Sequence, residues 1–174
     1  MRFMKIITSK NTSVNKTRLP AAFRHFTPIG NVLDYGVGKY IDHIRKYVQS
    51  KGCAYYPYDP YNRTEGENVT ALECGVKHGF DTVYCCNVLN VINCDDIVFY
   101  VCRDLLDLCN SGGRIVIQIY EGDKSGEGRE TKPDCYQRNE KTINYKWVFD
   151  RLALYGYSFE FAIDNNYIVI RKGV

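Results

Sequence analysis

Asn31-Val-Leu-Asp-Tyr-Gly-Val-Gly-Lys-Tyr40 is the stretch that decides the fold. Asn31 to Tyr35 is a short apolar burst stopped by Gly36, the pattern of a strand buried on both faces. From Lys39 to Ser50, the residues Tyr40, Ile41, Ile44, Tyr47 and Val48 recur at three- and four-residue spacing, which places them on one helical face, and Gly52 supplies a stop. Gly36 and Gly38 therefore sit where a strand meets a helix, and without side chains they let the backbone approach a ligand closely. That turn alone is not specific. A dinucleotide fingerprint wants a third glycine at the helix start, where this chain has Ile41 and no glycine until Gly52. Asp34, the acid before the glycines, can accept from a cationic amino group, directly or through water.

Outward from this unit the chain alternates. A second strand runs from Cys53 to about Tyr58, and its Pro57 favours an edge position because proline cannot donate on both sides of a ladder. Val69 to His78 reads as a short helix, Asp81 to Cys86 as a second central strand, and Asp95 to Leu108 as a strongly periodic helix with acids in its first turn. Ser111-Gly112-Gly113 turns the chain into the strand Arg114 to Tyr120. A helix over Tyr145 to Tyr155 then precedes two strands, Tyr157 to Ile163 and Tyr167 to Arg171, joined by Asp164-Asn165-Asn166 as a hairpin. Residues 1–28 form an N-terminal arm with at most one short helix near Pro20 to Phe26. Glu121 to Lys141, with eleven charged residues, three glycines and one proline, reads as a long polar loop, a lid or a disordered connection. The expectation is one α/β domain over 1–174, with a mostly parallel Rossmann-like sheet between helical layers, ligands at the carboxyl ends of the strands, and a closing antiparallel hairpin.

Two further segments join the glycine turn. Asp59, 25 residues after Asp34 and at the end of the second strand, can accept both ribose hydroxyls of an adenosine moiety. Asn87-Val-Leu-Asn-Val-Ile92 follows the second central strand, across the switch point from the glycine turn. There Asn87 or Asn90 faces the substrate, or Asn90 merely caps a turn. The order of glycine turn, ribose acid, Asn87 to Ile92, and Ser-Gly-Gly-Arg-Ile-Val-Ile117 resembles class I S-adenosylmethionine-dependent methyltransferases. More narrowly, Val32-Leu-Asp-Tyr-Gly, Tyr58-Asp-Pro-Tyr61 and Asn87 to Ile92 resemble small phage-encoded methyltransferase-like proteins and those associated with DNA phosphorothioation loci.

The resemblance implies S-adenosylmethionine as cofactor. It would be held by Asp34, Tyr35, Gly36, Gly38 and Lys39 in the turn, by Tyr58, Asp59 and Pro60 after the second strand, and by Cys86, Asn87, Val88 and Leu89 across the switch point. Asn87 and Asn90 are the candidate substrate-facing residues. Glu121, just past the Tyr120 strand end, is a candidate proton acceptor. The chain departs from the family pattern in two places. Only 21 residues separate Asp59 from Asp81, so the third strand of the usual sheet is expected to be missing or vestigial, which fits Pro57 on an edge. Tyr40 stands where a small residue is usual and narrows the methionine end.

Composition limits the alternatives. Hydrophobic residues at 45% and charged residues at 25% belong to a soluble globular protein, and a net charge of +3 permits a polyanionic partner without requiring one. No apolar run reaches the roughly 20 residues of a membrane span, and the N-terminus lacks the apolar core of a secretory signal, which points to the cytoplasm, or the host cytoplasm for a phage protein. The eight cysteines contain no C-x-x-C pair, so they read as reduced, mostly buried thiols, with no metal and no disulfide framework. The sequons at Asn11, Asn15, Asn62 and Asn68 are then chance matches.

A nucleic-acid or nucleotide-like acceptor is the leading reading. Tyr55, Tyr56, Tyr58 and Tyr61 cluster around Asp59, where a ring could stack on a base. Lys10, Lys16, Arg18 and Arg24 in the arm, with Lys124, Arg129, Lys132 and Arg138 in the loop, could form a basic rim. The rivals are a small-molecule or protein methyltransferase and a catalytically silent cofactor-binding partner subunit. Amino methylation of DNA is disfavoured because Val88-Leu89 replace the expected prolines, and Cys85-Cys86 read as structural rather than nucleophilic.

Overall fold

A computed structural model describes residues 5–10 and 16–174. Asn11 and Asn15, with the start of the N-terminal arm, lie outside the described residues. The elements in chain order are α1 (Ala21–His25), β1 (Asn31–Tyr35), α2 (Asp42–Ser50), β2 (Ala54–Tyr58), α3 (Glu65–Lys77), β3 (Phe80–Cys86), α4 (Asp95–Leu108), β4 (Cys109–Gln118), β5 (Arg129–Lys132), β6 (Cys135–Gln137), α5 (Lys146–Leu154), β7 (Phe159–Asp164) and β8 (Tyr167–Lys172). Six strands form one sheet in the order β2-β1-β3-β4-β8-β7. β2, β1, β3 and β4 are parallel, and β8 inserts antiparallel between β4 and β7.

Alternating side chains explain the three layers. Leu33, Val83, Cys85, Ile115 and Ile117 pack with the apolar faces of α3, α4 and α5, while Val32, Tyr84 and Val116 point the other way, toward α1 and α2. Small α1 is fastened to its face by Phe23 stacked on Tyr84 at 3.8 Å, by a hydrogen bond from Tyr47 Oη to the Phe23 carbonyl at 2.8 Å, and by the Ala22 N–H donating to Gln118 Oε1 at 3.0 Å. The third strand is missing. α3 leads straight into β3, and β2 is an edge whose buried Pro57 pairs with Asp34 in register.

Three sequence expectations change. α3 begins at Glu65 rather than Val69, because Thr64 and Glu67 form a capping box: Thr64 Oγ1 accepts from the Glu67 N–H at 3.2 Å and Glu67 Oε2 accepts from the Thr64 N–H at 3.1 Å. Strand β4 runs from Cys109, with a register irregularity before Arg114, and ends at Gln118. Residues 121–141 are not a disordered connection. They hold the β5–β6 hairpin, and Cys135, Arg138 and Asn139 are buried. All eight cysteines are free, six of them buried. Among the described residues no helix is long and apolar enough to cross a membrane, and no cluster of ligating side chains could hold a metal ion.

A candidate cofactor and acceptor cavity

At the carboxyl ends of β1, β3 and β4, on the switch point between β1 and β3, a cavity of about 680 Å³ opens. That size lies within the ~300–1,000 Å³ usual for small-molecule sites. Tyr35, Gly36 and Gly38 wall it on the β1 side, Asp59 and Pro60 after β2, and Cys86, Asn87 and Val88 after β3. Asn90 also lines it. Four of the expected cofactor residues do not reach the wall: Asp34, Lys39, Tyr58 and Leu89.

Local backbone chemistry shapes the glycine turn. Gly36 and Gly38 hold φ of 74° and 77°, in the left-handed region that a side chain disfavours. A Cβ on Gly36 would lie 2.4 Å from Val88 Cγ2, so the turn and the segment after β3 meet with no room between them. The N–H groups of Gly36 and Val37 donate to the Tyr58 carbonyl at 2.7 and 3.3 Å, which ties the turn to the end of β2. Gly38 N–H donates to Asp59 Oδ2 at 2.9 Å.

Asp59 is buried and almost fully engaged. Its Oδ1 accepts from the Tyr61 N–H at 2.8 Å, the Asn62 N–H at 2.9 Å and Asn62 Nδ2 at 3.1 Å. Asn68, on α3, grips the backbone of the same residue from both sides: its Oδ1 accepts from Asp59 N–H and its Nδ2 donates to the Asp59 carbonyl, each at 3.0 Å. Two of the chance sequons thus have structural employment. A carboxylate offers about four acceptor positions. Oδ1 is saturated, and the open position is on Oδ2.

Asp34 turns away from the cavity into the α1–α2 face, where Oδ2 accepts from Tyr55 Oη at 2.9 Å. Burial raises its pKa from 3.8 to about 7, the Tyr55 hydrogen bond opposes that rise, and the Asp59 charge adds to it. Of the four tyrosines expected around Asp59, only Tyr61 lines the cavity. Tyr55 serves Asp34, Tyr56 meets Phe80 edge-on at 5.5 Å, and Tyr58 leans on Tyr35 at 4.8 Å. Tyr40 lines the cavity as expected, with Lys16 Nζ 5.7 Å from its ring centre. Lys39 borders a separate, smaller recess. Burial raises the thiols of Cys85 and Cys86 well above their ordinary range, so neither is poised as a thiolate nucleophile.

Glu121 stands outside the lining. Its Oε1 accepts from Thr142 N–H at 2.6 Å and its Oε2 pairs with Lys124 at 3.1 Å, interactions that hold its carboxyl below the usual range. Of the cations expected in a basic rim, three in the loop are engaged with acids, Lys124 with Glu121 among them. Arg138 is buried and paired with Asp95 and Glu140, while Arg129 pairs with Asp123 at 3.3 Å. Lys10 does reach the cavity, lying over the Tyr61 ring at 4.8 Å.

Several wall residues have no counterpart in the sequence reading. Ile97, Tyr100, Val101 and Asp104 recur at three- and four-residue spacing on α4, and all four line the cavity. The spacing was the available signal. His43, Gln118 and Gln137 also line it. The strap of residues 5–10 adds Thr8, Ser9 and Lys10 to the lining and is anchored by hydrogen bonds: Ile7 N–H donates to Asn93 Oδ1 at 2.7 Å, Ser9 Oγ donates to the Val91 carbonyl at 2.7 Å, and Tyr136 N–H donates to Ser9 Oγ at 2.8 Å.

No protein-family model and no curated protein matches the chain. Solved structures do. The Burkholderia thailandensis 1,6-didemethyltoxoflavin-N1-methyltransferase, crystallised with 1,6-didemethyltoxoflavin and S-adenosylhomocysteine, superposes with a TM-score of 0.61 at 15% identity, over 88% of this chain and 76% of that one. Streptomyces venezuelae DesVI superposes with a TM-score of 0.53 at 9% identity, over 88% of each chain. At such identities the likeness is one of architecture: the chain has the mixed, mostly parallel Rossmann-like sheet of S-adenosylmethionine-dependent methyltransferases, without its third strand.

Proposed function

We propose that the chain transfers a methyl group from S-adenosylmethionine to a small-molecule acceptor. The observation that carries this reading is the pairing of the glycine turn with Asp59, whose Oδ2 keeps an open acceptor position beside the Gly38 N–H at the edge of the cavity. An adenosine ribose fits that position through one hydroxyl. The Gly36–Val88 contact and the polar segment Asn87 to Asn90 then leave the rest of the cavity to the methionine part and the acceptor. When bound, S-adenosylmethionine supplies an electrophilic methyl on a sulfonium, a leaving group good enough that transfer needs chiefly alignment and exclusion of water. Asn68 and the Asp59 contacts fix one wall, and Thr8, Ser9 and Lys10 of the strap with Gln137 of β6 add to the lining.

A small acceptor is favoured over a nucleic acid because three loop cations that would grip phosphates, Lys124, Arg129 and Arg138, are engaged with acids. Incubation with radiolabelled S-adenosylmethionine and, separately, small-molecule extract, nucleic acid and lysate protein tests this. Label is expected in the small-molecule fraction. Label in nucleic acid would overturn the acceptor class, and cofactor binding without any transfer would leave the silent module.

A further inference from the structure

Two residues of the cavity wall carry a buried polar atom without a partner among the described residues, His43 through Nε2 and Asn90 through Oδ1, and the second has its orientation fixed by its neighbours. Asn90 is 2% exposed and lines the cavity, and its Oδ1 makes no hydrogen bond among the described residues. A buried acceptor left unmade carries its full desolvation penalty, and such an orphan in a binding wall calls for a ligand donor.

The orientation of that oxygen is fixed from two residues away. Gln137 Nε2 donates to the Tyr120 carbonyl at 2.9 Å. A carbonyl oxygen only accepts, so Gln137 must turn its nitrogen to Tyr120 and its oxygen to Asn90. Gln137 Oε1 accepts from Asn90 Nδ2 at 3.2 Å, which commits the nitrogen of Asn90 and leaves Oδ1 as the orphan. The Asn90 main chain is pinned as well, its carbonyl accepting from Arg138 N–H at 2.8 Å. Beside it in the wall stand apolar Val91, Ile92 and Ile119.

Building on the methyl-transfer reading of this cavity, we propose that Asn90 Oδ1 receives an N–H of the methyl acceptor, with Gln137 as the residue that positions it. The acceptor is therefore a neutral, largely apolar heterocycle or amide with a free N–H. A carboxylate or phosphate at that point would face the lone pairs of a carbonyl oxygen and is excluded. The oxygen itself is covered in this structure, so the lining must move aside for the ligand N–H.

Ligand-observed NMR on the full chain saturated with S-adenosylhomocysteine tests this with benzimidazole and 1-methylbenzimidazole, which differ by the N–H. Benzimidazole should bind about tenfold more tightly to the wild type, the equivalent of one neutral hydrogen bond. Asn90→Leu should bring the pair together. Gln137→Leu, which frees the Asn90 amide to turn its nitrogen inward, should erase or invert the preference. Both variants should bind S-adenosylhomocysteine as the wild type does. Equal binding of the pair by the wild type, or binding of neither, overturns the proposal. So does a loss of S-adenosylhomocysteine affinity in Asn90→Leu, because the oxygen would then belong to the cofactor. Failure of the wild type itself to bind S-adenosylhomocysteine would instead refute the methyltransferase reading beneath it.

Discussion

The two halves of the cavity are built by different means. The half around the glycine turn is nearly local: Gly38 and Asp59 are 21 residues apart, Asp59 and Asn68 nine, and Asp59 holds the N–H groups two and three residues on. The half around Asn90 is assembled from distant segments. Asn90 meets Gln137 across 47 residues, Ser9 meets Val91 across 82, and Tyr136 meets Ser9 across 127. The first half is complete once β1, β2 and α3 are in place. The second requires the strap, the segment after β3 and the hairpin to close on one another, and loops of that kind open at lower cost than core elements. On the proposed reading, a cofactor half held by the scaffold and an acceptor half held by loops would let the substrate change without disturbing the cofactor.

The comparison breaks most readily at Gly36. Gly36→Ala places a side chain at positive φ and against Val88, and the two penalties together should cost about 2–5 kcal/mol. Chemical denaturation would show the loss, and S-adenosylhomocysteine binding should vanish with it. A variant of wild-type stability would mean that the turn is looser than described.

Arg138→Ala attacks the other half. It removes the donor to the Ile92 carbonyl at 2.9 Å and the pairing with Asp95, at a cost of about 1–3 kcal/mol. Hydrogen exchange should rise in β5 and β6 while the Gly36 and Gly38 N–H groups, bonded to Tyr58 and Asp59, stay protected. Uniform loss of protection across both halves would erase the distinction drawn between them.

Asp34 sharpens the account of the first half through pH. Its folded constant of about 7 lies above its ordinary 3.8, so its contribution to stability is fully present below about pH 4 and is lost as pH rises to about 7. Asp34→Asn keeps an oxygen for Tyr55 and has no such loss. Urea melts should find the two proteins similar near pH 4 and the variant more stable at pH 8. Parallel pH profiles would place the ionised carboxylate in a better environment than its burial implies. Glu121→Gln should be the mildest change, altering methyl transfer by less than about twofold, since its carboxylate serves Thr142 and Lys124 outside the cavity.

This division also explains what could be read before the structure. Asn31 to Tyr40 and the periodicity of α4 are local patterns, and they located β1, the glycine turn and the helix correctly. The 21 residues between Asp59 and Asp81 foretold the missing strand by arithmetic, and Pro57 foretold the edge. The start of α3 was legible too, in Thr64-Glu-Gly-Glu67, but the apolar period begins only at Val69 and drew the boundary there. Residues 121–141 misled for a physical reason. Charge density argues for solvent, yet Arg138 is buried because Asp95, Glu140 and the Ile92 carbonyl converge on it from elsewhere in the chain. Gln137 and the strap carry no local signal at all. Their placement exists only in contacts that the folded chain creates.

Titration calorimetry with S-adenosylhomocysteine on the wild type and on Asp59→Ala tests the central claim most directly. The account predicts one site on the wild type and a loss of about tenfold or more in affinity for Asp59→Ala, from the ribose hydrogen bond and the Gly38 contact that go with the carboxylate. No heat of binding from folded wild-type protein, or equal affinity in the two, would contradict it.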